Sequence, residues 1–189
     1  MKKILLSLLL VFQVNTVFAN ESHNHDEHNH QAIDEKKAKE HGEKHMKGVP
    51  TQVKNYFKKG TVDLVHRALS KEQIEDIKKE TSLTPDEYFH TFIATGTKKG
   101  KKTQLGAATL VKVDDIEFSL VYDKNLAIEE VLLIKNTDKV KGFLDSFKGA
   151  DHHKDISKFG KTDLEKKITK YIKMDIEIMQ ALWGKPHKH

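Results

Sequence analysis

The period of the apolar positions changes along the chain, and each change predicts an element. Tyr88 to Thr95 (Tyr-Phe-His-Thr-Phe-Ile-Ala-Thr) is rich in aromatic and β-branched residues, as a strand is. The basic, glycine-containing run Gly96 to Lys102 predicts a turn. Thr103 to Val113 and Ile116 to Tyr122 follow as strand-like runs joined at Asp114-Asp115, and Leu126 to Lys135 follows a turn at Lys124-Asn125. In Ile116-Glu117-Phe118-Ser119-Leu120 the alternation is strict, which predicts one apolar and one polar face. Four consecutive strands with short connections make an antiparallel meander, whose apolar face needs a cover.

A period near 3.6 supplies that cover. Leu164, Ile168, Tyr171, Ile172, Met179 and Leu182 recur at helical spacing from about Asp163 to Trp183, where Gly184 and Pro186 stop the run. Ser70-Lys71-Glu72-Gln73 is a capping box opening a helix to about Glu80. Thr84-Pro85-Asp86-Glu87 reads as a second box starting a single turn. Val53 to Ala68 reads as weakly helical with a break at Gly60, and Asp138 to Phe147 as a short helix stopped by Gly149. The expected fold class is α+β: one domain over residues 49–184, an antiparallel sheet of about four strands packed against helices.

The ends of the chain lack this patterning. Residues 1–19 carry two lysines, an apolar run from Ile4 to Phe12, and Val17-Phe18-Ala19, the layout of a secretory signal peptide cleaved after Ala19. The apolar run is shorter than the ~20 residues a membrane span needs, so no span is expected after cleavage. The periplasm is the expected destination. Cleavage removes two lysines and lowers the formal charge from +5 to +3. That balance, without an aromatic-interleaved basic patch, argues against a nucleic-acid partner. There is no cysteine, which rules out disulfides and thiolate metal sites. No nucleophilic cysteine, Ser-His-Asp arrangement or metal-hydrolase motif points to a hydrolase.

Residues 20–48 are nearly all His, Asn, Asp, Glu and Lys, too polar to repay the entropy of ordering, and read as a disordered tail. Within it His23, His25, His28 and His30 fall in eight residues, and His41 and His45 follow four apart. Imidazole is the common protein ligand for Zn²⁺, Ni²⁺ and Cu²⁺, so these six residues are the candidate ligands for a divalent metal such as Zn or Ni. Asp26 or Glu27 would add a carboxylate. His66 and His90 read as packing residues, Asp151-His152-His153 as a polar loop, and residues 185–189 as a C-terminal tail.

Three further pieces occur in order: Gly100-Lys101-Lys102-Thr103-Gln104-Leu105-Gly106-Ala107-Ala108 entering a strand, Asp123 to Val131 after a turn, and Phe143 to Gly149. In this order and spacing the segment from about Leu69 to Leu182 resembles the FMN-binding domain family, extracytoplasmic subunits of ion-pumping NADH-dehydrogenase-type complexes. In the family's redox subunits, FMN phosphate is linked to a threonine ending a Ser/Thr-Gly-Ala-Thr motif at a helix start. The resemblance implies the matching place is Phe159-Gly160-Lys161-Thr162, so Gly160, Lys161 and Thr162 are the candidate cofactor-binding residues. Phe159 and Lys161 depart from the motif, and a glycine-rich loop of many relatives is absent at Asn136-Thr137-Asp138. Thr162-Asp163-Leu164-Glu165 is itself a capping box, which gives the threonine a purely local reason.

The resemblance thus implies a periplasmic redox or electron-transfer accessory carrying FMN, with a membrane redox complex as partner. The alternative is a His-rich metal-binding protein serving a metal transporter, whose flavin-like domain has lost its cofactor.

Overall fold

A computed structural model gives the structure of residues 48–184. The expected signal peptide, the six tail histidines and residues 185–189 lie outside the described residues. The elements are α1 (Thr51–Tyr56), β1 (Thr61–Ala68), α2 (Lys71–Thr81), β2 (Tyr88–Lys98), β3 (Lys101–Val113), β4 (Ile116–Tyr122), β5 (Ile128–Lys135), α3 (Lys141–Asp145) and α4 (Asp163–Trp183).

The five strands form one antiparallel meander in the order β1-β2-β3-β4-β5. The α+β expectation holds, with one strand more than expected. The added strand is β1, which composition had made weakly helical. Gly60 separates it from α1, and it pairs with β2 along its whole length, from Thr61↔Thr95 to Ala68↔Tyr88. Ladder pairing with a strong neighbour outweighs a weak local preference. The same ladder removes the turn expected at Thr84 to Glu87. Leu69 donates its N–H to the Glu87 carbonyl at 2.8 Å, which extends the β1–β2 pairing and holds Glu87 out of a helical turn.

The β2–β3 connection is tighter than the sequence suggests. Lys98 pairs with Lys101, and Lys99 and Gly100 both sit at positive φ (52° and 76°), as a primed two-residue hairpin requires.

α4 and α3 cover one face of the sheet. Ile168, Ile172, Ile176 and Met179 of α4 meet Phe118, Leu120, Tyr122, Ile128 and Val131, joined by Leu144 and Phe147. Truncating Leu120, which is fully buried, to alanine would cost about 2–5 kcal/mol. The strict alternation of β4 does not leave a wet face. Val53 and Phe57 cover the reverse side, packing on Phe92, Ala94, Ala108 and Val121. Ser119 is consequently buried, and its hydroxyl donates to the Thr109 carbonyl. α2 packs on the far end of α4 through Ile77 and Ile178. Its Ser70–Gln73 capping box forms as the sequence predicts. Among the described residues no helix is long and apolar enough to cross a membrane.

Candidate functional site

The corner where the chain enters α4 holds the three cofactor candidates. Thr162 is the N-cap in extended conformation, and its side-chain oxygen accepts from the Glu165 N–H at 3.2 Å. Glu165 reaches back, and its Oε2 accepts from the N–H groups of Lys161 (2.7 Å) and Thr162 (3.0 Å). These two hydrogen bonds, Thr162 first, hold the Glu165 carboxyl below its ordinary range. The carboxylate thus stands on the amides that an anion at a helix start would otherwise use.

Gly160 is fixed by geometry. Its φ is +91°, and a Cβ there would lie 2.8 Å from the backbone of Glu165 and Lys166. The helix start is packed against the preceding loop too closely for any side chain.

Beside this corner lies an open hollow of about 420 Å³, lined by Phe143, Ser146, Phe159, Gly160, Lys161 and Glu165. Phe159 packs on Phe147 at 5.2 Å between ring centroids, and Phe147 on Phe143 at 5.1 Å. Lys154 lies 5.6 Å from the Phe159 ring, and Lys161 is the lysine in the lining of the hollow. The hollow thus combines apolar rings with one cation, Lys161, and one carboxylate, Glu165. The sequence marked Gly160, Lys161 and Thr162; the fold adds Phe143, Ser146 and Phe159. Phe143 was readable only as part of an apolar stripe, because its neighbours at the corner come from a loop that starts after Gly149.

No family model, no curated protein and no solved structure matches this chain.

The other histidines are placed as follows. His66 and His90 are register partners across β1 and β2, their rings stacked edge to face at 4.6 Å. His152 and His153 have ring centroids 3.7 Å apart. The Asp151 carboxylate is engaged by the N–H groups of His153 and Lys154. Among the described residues no three His, Asp or Glu side chains form a group able to hold a metal ion. Lysines from the α1–β1 connection and from the start of β3 converge at the β2–β3 hairpin end of the sheet. Lys58, Lys59 and Lys102 line one hollow there with Thr61, Thr95 and Thr97.

One titratable group escaped the sequence reading altogether. Asp175 sits on α4 at the stripe spacing of Ile168, Ile172 and Met179, and is 4% exposed. The Tyr122 hydroxyl donates to its Oδ1 at 2.6 Å and the Thr109 hydroxyl at 2.8 Å. Burial pushes the Asp175 carboxyl up to about 6, against the two hydrogen bonds, which favour the charged form. Burial and the neighbouring carboxylate push the Tyr122 hydroxyl well above its usual range. An aspartate at a core position of a helix repeat was the available signal.

Proposed function

We propose that the chain is a periplasmic FMN-binding-domain-like protein serving as a redox or electron-transfer accessory, with FMN held non-covalently at the α4 corner. The observation that carries this reading is the apolar hollow of about 420 Å³ adjoining Gly160, with Phe143 and Phe159 in its wall and Lys161 in its lining. The isoalloxazine would lie on the phenylalanine platform, and the phosphate would take its charge partner from the Lys161 side chain. Thr162 acts as a helix cap, not as an attachment point, since its hydroxyl oxygen and the Glu165 carboxylate already satisfy each other's backbone. When bound, FMN supplies the electron transfer; the protein binds and orients it. A membrane redox complex is the partner this reading implies.

The test is titration of FMN and riboflavin with the full chain, read by flavin fluorescence. FMN is expected to bind more tightly than riboflavin, and Lys161→Glu to erase that preference. Flavin should leave the protein on denaturation. Absence of saturable FMN binding would overturn the reading, and colour that stays with the denatured chain would restore covalent attachment at Thr162.

A second reading rests on the tail, where four imidazoles fall within His23 to His30 and two more at His41 and His45. In it the tail captures a divalent ion for a metal transporter.

A further inference from the structure

The sheet is split near its centre. β2 and β3 pair only from Lys98↔Lys101 to Phe92↔Ala108. Beyond that point β2 stays with β1 as far as Ala68↔Tyr88, and β3 stays with β4 as far as Val113↔Ile116. A cavity of about 230 Å³ opens between the diverging strands, with α4 behind it.

Among the described residues the cavity has a carboxylate with no counter-charge. Asp175 lines it, and none of the ion pairs among the described residues involves this carboxylate. Both hydroxyls that reach it converge on a single oxygen, Oδ1. Asp86 adds a second carboxylate to the lining. The lysine that borders the cavity, Lys112, is drawn to Glu117 at 3.5 Å and is mostly exposed. Tyr88, Phe89 and Tyr171 bring aromatic rings, and Met174 a polarizable sulfur. His90 also borders the space.

A buried carboxylate without a counter-charge is costly, and a cation placed beside it relieves that cost. Aromatic faces attract cations as well. An inorganic ion would lack ligands, since no group of three forms among the described residues. The volume falls below the roughly 300–1,000 Å³ of sites for drug-sized ligands, so the occupant is small. A purely structural Asp175, tying α4 to β3 and β4, explains its two hydrogen bonds. It does not explain an open cavity with a second carboxylate.

We infer that this cavity binds a small organic cation: an ammonium group carried on a compact apolar body. The ammonium pairs with Asp175, and the body lies among Tyr88, Phe89, Tyr171 and Met174. The site is separate from the α4 corner, and its test does not depend on flavin.

Phenethylammonium serves as the probe, with 2-phenylethanol and 3-phenylpropionate as neutral and anionic analogues, each titrated into the full chain by calorimetry near neutral pH. The ammonium is expected to bind, the alcohol about tenfold or more weaker, and the carboxylate not at all. Asp175→Asn should bring the ammonium down to the level of the alcohol, while Lys161→Glu leaves it unchanged. Asp86→Asn, at an exposed position, should weaken the ammonium several-fold and carries the test if the Asp175 variant does not fold. Equal binding of ammonium and alcohol, full binding by the Asp variants, or no saturable binding of any probe would each overturn the inference.

Discussion

Replacing Asp175 by asparagine should become steadily more favourable to stability as pH rises. The Asp175 carboxyl is raised from its ordinary 3.8 to about 6 by burial. The folded state therefore holds this proton more tightly than the unfolded state does. The resulting stabilisation is fully present below about pH 4 and is lost as pH rises through about 6. A shift of roughly two units at 1.36 kcal/mol per unit amounts to about 3 kcal/mol. The asparagine side chain cannot ionise, so the variant escapes this loss while its amide oxygen can still accept from Tyr122 and Thr109. Relative to the parent, Asp175→Asn should gain about 3 kcal/mol between about pH 4 and pH 7. Glu177 is also raised by burial, but it is common to both proteins and cancels in the difference. Urea denaturation of both proteins across this range measures the effect. Parallel stability curves would show that Asp175 is charged and well solvated in the folded protein, and would refute the argument.

Four other outcomes are expected. Thr162→Ala should lose about 1 kcal/mol in urea denaturation, while Thr162→Asp stays near the parent, because a carboxylate caps equally well and suits the helix dipole. Gly160→Ala should lose at least about 1 kcal/mol, since it combines a φ of +91° with a Cβ 2.8 Å from the α4 backbone; an unchanged denaturation midpoint would contradict this. Deleting residues 20–45 should abolish most Zn²⁺ or Ni²⁺ uptake in calorimetry and leave the metal-free melting temperature nearly unchanged, and uptake by the full chain should weaken as pH falls through ~6.5. The exported form should begin at Asn20 by intact mass; a species that keeps residues 1–19 would refute cleavage after Ala19.

The features the sequence determined by itself are local ones. The capping boxes at Ser70 and Thr162 formed as read, because a side chain and an amide three residues apart need nothing else. The strand composition of β2 to β5 and the apolar repeat of α4 were equally legible, since period and β-branching are properties of a single segment. The candidate corner was half legible. Gly160, Lys161 and Thr162 are consecutive, but Phe143 and Ser146 reach them only because α3 and the loop after it fold back along β5, where the Ile128 N–H donates to the Ala150 carbonyl at 2.8 Å.

Tertiary structure alone decided the rest. Residues 61–68 became a strand because β2 offered a complete partner ladder. The polar side of β4 became interior because Val53 of α1 and Phe57 just after it cover it. Asp175 became a buried acid because its stripe position faces Tyr122 and Thr109, which lie more than fifty residues earlier in the chain. Each depends on which distant surface arrives to cover a segment, and no periodicity within the segment encodes that arrival.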